Sequence, residues 1–172
     1  MTIILIGYMG SGKSTIAREL AKSLHFKCLD LDAYIEKKEG LSIAELFKTK
    51  GEIYFRKIES QYLKNVLELE NTVISLGGGT PCYGTNMDLI KSSSYSKSIY
   101  LKASLNTLVD RLNDEKSKRP LISHLKNKEE MTEFIGKHLF ERSYFYNQAN
   151  FTISVDDKSS EKISEEILAK LF

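Results

Sequence analysis

The sequence predicts one α/β domain, a three-layer sandwich in which helices flank a five-stranded parallel sheet. Three observations carry that prediction. Five short runs read as strands, helix-like segments alternate with them, and each crossover between successive strands is long enough for a helix. A chain of 172 residues, 41% of them hydrophobic, suits a single ordinary core. No internal repeat, low-complexity tract or linker-like break divides it.

Residues 2–7, "TIILIG", are apolar and β-branched up to a glycine, which suits a strand buried on both faces. Residues 13–24 follow with Ile16, Leu20 and Leu24 at four-residue spacing, an amphipathic helix. Residues 27–31, 71–76, 97–101 and 151–155 supply the other four strands. Helical patterns occupy 42–49, 53–69, 104–114, 128–144 and a terminal segment from Ser160.

Several function classes are disfavoured at once. A formal charge of +2 and no long Lys/Arg block give no footprint for nucleic acid. No run approaches the roughly 18 apolar residues of a membrane span, and the first residues lack a charged leader, so no membrane partner is expected. Cys28 and Cys82 stand alone without metal-ligand spacing and read as small, buried or half-buried hydrophobes in a reducing cytoplasm. Nothing in the chain demands more than a monomer.

The most specific stretch is "GYMGSGKST", residues 7–15. Gly7, Gly12, Lys13 and Ser14 satisfy G-x-x-x-x-G-K-[ST], set between a predicted strand and a predicted helix. Such a loop turns successive N–H groups toward a phosphate, and the following helix adds its positive end. Gly10, Ser11, Gly12, Lys13, Ser14 and Thr15 are therefore the expected nucleotide contacts. Lys13 would reach the β- and γ-phosphates, and the Ser14 hydroxyl would ligate Mg²⁺. The expected ligand is a nucleoside triphosphate.

A phosphate loop does not identify the phosphate acceptor. A GTPase needs N-K-x-D after a strand, and the nearest string is "NKEE" at 127–130, with Glu130 in the aspartate position. Small-molecule kinases fit the size. In "LDLDAYIE" Asp30 and Asp32 alternate with leucines, so a strand would present both carboxylates on one side at its C-terminal edge. One could serve the Mg²⁺ shell and the other meet the acceptor. "GEIYFRKIE" sets Arg56 among core-like Phe55, Ile58 and Tyr62, where it reads equally as a surface charge. "ISLGGGTP" ends a strand in Gly77, Gly78 and Gly79, a triplet best explained by close approach of the backbone to a ligand. "KSKRPLI" places Arg119 in a polar flap, and "FERSYFYNQA" puts Arg142 in a helix, where pairing with Glu141 is the bland alternative.

In this combination and order, "GYMGSGKST", "LDLDAYIEKKEGLSIAELF", "GEIYFRKIE", "VISLGGGTP", "KRPLI" and "ERSYFYNQA" resemble the shikimate kinase family over nearly the whole chain. The resemblance implies a nucleoside-monophosphate-kinase-like P-loop fold as one domain over 1–172. A substrate-binding insertion at about 32–62 and a lid at about 114–128 would belong to it. The implied reaction is ATP-dependent phosphorylation of shikimate at its 3-hydroxyl, on the route to chorismate and the aromatic amino acids. It also implies roles: Ser14 and Asp30 for Mg²⁺, Asp32 for the shikimate hydroxyls, Arg56 and Arg142 as a carboxylate clamp, and Gly77, Gly78 and Gly79 for substrate binding, the last two through backbone N–H groups. Arg119 would be the lid arginine on the phosphates, and Arg111 would lie near adenine. The sequence departs from the family after the last strand, where Asp156 and Asp157 precede Lys158 and a basic adenine contact is usual.

The chemistry agrees with these roles. Two arginines facing a small acceptor suit a carboxylate, which their forks match bidentately. An Asp32 of ordinary pKa, about 4, would be a feeble base, aligning the hydroxyl early and accepting its proton late. Two rivals remain: a kinase for another acceptor, such as gluconate or a nucleoside monophosphate, and a nucleotide-binding module without turnover.

Overall fold

β1 (Thr2–Ile6) lies at the centre of the sheet, and Ile3 to Ile6 have no exposed surface, as its uninterrupted apolar run requires. The computed structural model describes residues 1–172. After β1 come α1 (Lys13–Leu24), β2 (Lys27–Asp30), α2 (Leu31–Glu39) and α3 (Ile43–Leu67). β3 (Thr72–Ser75), α4 (Asn86–Ser92), β4 (Ser96–Lys102) and α5 (Leu105–Asp114) follow, then α6 (Lys128–Tyr146), β5 (Phe151–Ser154) and α7 (Ser160–Leu171). The strands run in the order β2-β3-β1-β4-β5, and every pairing is parallel. Helices flank the sheet, and one continuous apolar core includes residues from every layer.

This topology puts β2 and β3 on one side of β1 and β4 and β5 on the other, so the strand order reverses beside β1 and a crevice opens at the carboxyl ends there. The phosphate loop, Asp30 and the glycine triplet all leave from those ends. The fold thereby gathers motifs that are up to seventy residues apart in sequence.

Three local expectations need correction. β2 stops at Asp30, and the chain turns at once into α2, so strand alternation does not place Asp32. The Asp30 side chain accepts a hydrogen bond from the Ala33 N–H at 3.1 Å and caps α2, while Leu31 and Ile35 bury its inner side. The helices expected at 42–49 and 53–69 form one hydrogen-bonded run interrupted at Gly51, where φ is 83°. Ser42 and Glu45 start it with a reciprocal capping box. Finally, residues 86–92, where the sequence pattern predicts no element, form the 7-residue helix α4.

Candidate active site

The phosphate loop is shaped by steric necessity at its first residue. Gly7 has φ 151°, and a Cβ there would lie 2.7 Å from the Leu101 carbonyl oxygen. The Ser11 N–H donates to the Tyr8 carbonyl at 3.2 Å, closing the bend. Lys13 folds back over it, its Nζ donating to the carbonyls of Gly7 at 2.8 Å and Tyr8 at 3.0 Å. Burial draws the Lys13 pKa down to about 8, against the pull of Asp32. Ser14 and Thr15 are exposed at the helix start. Ser11 is different: its side chain is buried against Gly7, its hydroxyl lacks a partner and its N–H is spent inside the loop.

Beyond the loop opens a cleft of about 580 Å³, lined by Gly10, Gly12, Lys13, Ser14, Thr15, Asp30, Asp32, Gly77, Gly78, Arg111 and Arg119 among others. Only two of its sixteen lining residues are hydrophobic, so the cleft suits a highly charged ligand. Arg111 Nη1 donates to the Gly10 carbonyl at 3.1 Å and braces the loop from α5. Arg119 is held by Glu115.

The glycine triplet has a spatial explanation. A Cβ on Gly77 would lie 3.0 Å from Asp32 Oδ1, one on Gly78 3.3 Å from Arg142 Nη1, and one on Gly79 3.1 Å from Arg56 Nη2. Three residues from three helices therefore meet over one bare stretch of backbone. Larger residues there would push directly into the charged groups. Arg56 and Arg142, which lie outside the lining of the main cleft, are joined to it by this glycine floor.

The two arginines are held differently. Arg56 Nη1 donates to Glu59 Oε2 at 2.9 Å, and the other Glu59 oxygen accepts from the Thr80 hydroxyl at 2.7 Å. The Tyr83 ring lies against the Arg56 guanidinium, 3.7 Å from centroid to Cζ. Arg142 forms no ion pair, with Glu141 or any other carboxylate. Its charge lies beside Gly78 and Gly79 without a protein counterion. Sequence reasoning missed Glu59 and Tyr83 as supports, although Glu59 follows Arg56 by three residues, a spacing at which helical side chains meet.

Asp32 departs from its expected acidity. Burial, reinforced by Asp30 and Glu59, pushes its pKa up to about 6, with Lys13 offsetting part of the rise. It is accordingly a stronger base than an ordinary aspartate.

A divalent cation fits the donor set. No cluster of three His, Cys, Asp or Glu residues forms an all-protein cage. Asp30 and the exposed Ser14 hydroxyl instead line the same cleft, a hard-oxygen pair suited to Mg²⁺ that takes its other ligands from water and phosphate. After the last strand, Asp156 accepts from the Ser104 N–H at 3.0 Å and ties β5 to the start of α5. That bond holds its pKa low and gives the acidic residue a structural role.

The family model for shikimate kinase matches residues 9–172. A shikimate kinase of Flavobacterium johnsoniae is 50% identical over 167 residues, covering 96% of each chain. The crystal structure of shikimate kinase from Bacteroides thetaiotaomicron superposes with a TM-score of 0.91 at 35% identity, covering 99% of this chain and 98% of that one. Shikimate kinase from Acinetobacter baumannii in complex with shikimate gives a TM-score of 0.85 at 29% identity, covering 99% and 92%.

Proposed function

The chain belongs to the shikimate kinase family, and from that premise we propose a division of labour among its side chains. The enzyme transfers a phosphoryl group from ATP to shikimate, giving 3-phosphoshikimate and ADP in aromatic amino-acid biosynthesis, with Mg²⁺ as cofactor. The observation that carries the proposed roles is the meeting of Asp32, Arg56 and Arg142 over Gly77–Gly79, beside the phosphate loop.

Phosphoryl transfer asks a protein chiefly for positioning and charge. Gly10, Gly12, Lys13, Ser14 and Thr15 receive the triphosphate. Ser11 shapes the loop from within, which its burial supports better than direct contact. Lys13 exchanges the Gly7 and Tyr8 carbonyls for phosphate oxygens. Ser14 and Asp30 hold Mg²⁺, which when bound neutralises charge on those oxygens. Arg111 holds the loop near the adenosine end, and Arg119 adds a cation when the segment at about 114–128 closes. Water is excluded by the same closure.

Shikimate sits on the glycine floor, against the insertion of about 32–62. Arg56 and Arg142 take its carboxylate, and the missing counterion of Arg142 supports that assignment. Asp32 aligns the acceptor hydroxyl and receives its proton on a carboxylate oxygen, a task that its raised pKa favours. We also propose a cytoplasmic monomer without nucleic-acid or membrane partners. Both cysteines are free thiols, Cys28 exposed rather than buried, and the net charge is only +2. No helix is long and apolar enough to cross a membrane.

The test is ADP release with ATP and shikimate, gluconate or AMP, repeated with Arg142→Ala. Losing one contact to an ionised group costs roughly 1.5–3 kcal/mol, so the shikimate KM should rise about 10- to 100-fold while the ATP KM stays put. An unchanged shikimate KM would remove Arg142 from the clamp.

A further inference from the structure

Tyr8, the second residue of the phosphate loop, carries a side chain that is 1% exposed. Its hydroxyl meets Nδ1 of His138 on α6 at 2.9 Å, with the rings edge to face at 5.5 Å. His138 precedes Arg142 by one helical turn, and the Arg142 guanidinium carbon lies 5.8 Å from the centre of the same Tyr8 ring. One aromatic side chain thus touches both the helix and the arginine that the helix presents.

The location of this contact matters. The buried side chains of α6 are Met131, Ile135 and Tyr146, which leaves the stretch carrying Arg142 without a fully buried anchor of its own. Tyr146 fixes the far end, its hydroxyl donating to the Gly78 carbonyl at 2.6 Å. The Tyr8–His138 contact falls between these anchors. Tyr8 is itself held by its main chain, whose carbonyl accepts from Lys13 Nζ and the Ser11 N–H. Phe134, with its ring centroid 5.6 Å from that of His138, packs beside the imidazole, and His124 lies edge-on to Phe134 from the lid segment.

We infer that the Tyr8–His138 hydrogen bond positions Arg142, setting the distance between the carboxylate clamp and the phosphate loop. Both residues are positioning residues: neither touches a reacting atom. The electrostatics favour a neutral pair. Burial pushes the Tyr8 pKa up to about 12, so its hydroxyl keeps its proton and donates. Burial and Arg142 hold His138 below its usual range, with Glu141 opposing, so the ring is neutral, and its Nε2–H tautomer accepts at Nδ1. An imidazolium at that point would repel the guanidinium that the helix must present.

The inference rests on the proposed role of Arg142 and is tested beside it in the full-length enzyme. Tyr8→Phe removes only the hydroxyl, and His138→Ala removes the acceptor. Each should raise the shikimate KM roughly three- to tenfold, the effect of one neutral hydrogen bond, and leave the ATP KM and kcat within about twofold. The double variant should be no worse than either single one. His138→Asn, which keeps an acceptor near the Nδ1 position, should recover most of the loss. The inhibition constant of a shikimate analogue with hydroxymethyl in place of carboxylate should not move in any variant. An unchanged shikimate KM in Tyr8→Phe, an equal loss for the analogue, or an equal rise in the ATP KM each overturns the inference. If Arg142→Ala itself leaves the shikimate KM unchanged, the clamp fails and this inference falls with it. If Arg142→Ala raises it and Tyr8→Phe does not, the positioning role alone falls.

Discussion

Arg119 is doubly bound to Glu115, with Nη2 at 2.6 Å and Nε at 2.8 Å from one carboxylate oxygen. Both residues line the phosphate cleft, and both side chains are about a third or more exposed, at 34% and 47%. The arginine that we assign to the transferring phosphoryl group is therefore paired with a carboxylate that a phosphate must displace. An exposed pair of this kind contributes about 0–1 kcal/mol, so a triphosphate can displace the carboxylate at small cost.

Arg119→Ala should cut kcat steeply and leave the shikimate KM nearly unchanged. Glu115→Gln should leave Arg119 available sooner and lower the ATP KM by up to about fivefold. Hydrogen exchange across residues 116–128 should slow when ATP and an acceptor analogue are bound together. A silent Arg119→Ala, or exchange that is already slow in the free enzyme, would sink the lid assignment.

Lys13 carries the second prediction. Its ammonium is already satisfied by the Gly7 and Tyr8 carbonyls, so binding ATP exchanges partners rather than adding charge-assisted bonds from nothing. Its net value should appear where charge develops on the phosphoryl oxygens. Lys13→Met should lower kcat far more than it weakens nucleotide binding, measured by titration with a non-hydrolysable ATP analogue. Equal losses in binding and turnover would contradict that role.

Much of this site was legible because its motifs are local. The phosphate loop, the glycine triplet and the arginines each sit in a short string whose spacing carries its own physical reason. Asp32 lines the cleft, but from the start of a helix and not from the strand that its alternation suggests. "LDLDAYIE" alternates like a strand, yet Leu31 and Ile35 also stand at helical spacing, and the cap formed by Asp30 decides for the helix. The raised pKa of Asp32 arises from burial beneath neighbours that converge only in three dimensions. The same holds for the supports. Tyr8 and His138 are 130 positions apart, and no sequence pattern announces their contact. The shortness of α4 left too few turns for periodicity to register.

Tyr83 supplies a third prediction. Its ring lies flat enough on Arg56 to bring the guanidinium carbon within 3.7 Å of its centre, while Glu59 restrains one edge. Cation–π contact at such a partly exposed site is worth about 0.5–1 kcal/mol. Tyr83→Ala should raise the shikimate KM roughly two- to fivefold, whereas Tyr83→Phe keeps the aromatic face and should behave like the wild type. If both substitutions raise it equally, the hydroxyl matters rather than the stack.

The last prediction concerns the insertion that carries Asp32 and Arg56. Glu39, at the end of α2, accepts from the Tyr62 hydroxyl at 2.7 Å and the Tyr54 hydroxyl at 2.9 Å, both on α3, with Lys50 Nζ 3.6 Å away. These groups, the Tyr62 bond foremost, hold the Glu39 carboxyl below its usual range. A carboxylate whose pKa is depressed on folding adds stability above its unfolded value, about 4.3, and loses it as pH falls through the folded value. Glu39→Gln keeps an acceptor and loses only the charge, so it should destabilise the enzyme by about 1 kcal/mol at pH 7, the difference between hydrogen bonds to an ionised and to a neutral acceptor. Urea midpoints of wild type and variant should converge as pH is lowered through and below 4, because the wild-type carboxyl then becomes neutral too. Since α2 and α3 bring Asp32 and Arg56 to the glycine floor, the shikimate KM should rise with the loss of stability. A gap in urea midpoint that stays constant from pH 7 to pH 3 would show that packing, and not the charge on Glu39, joins the two helices.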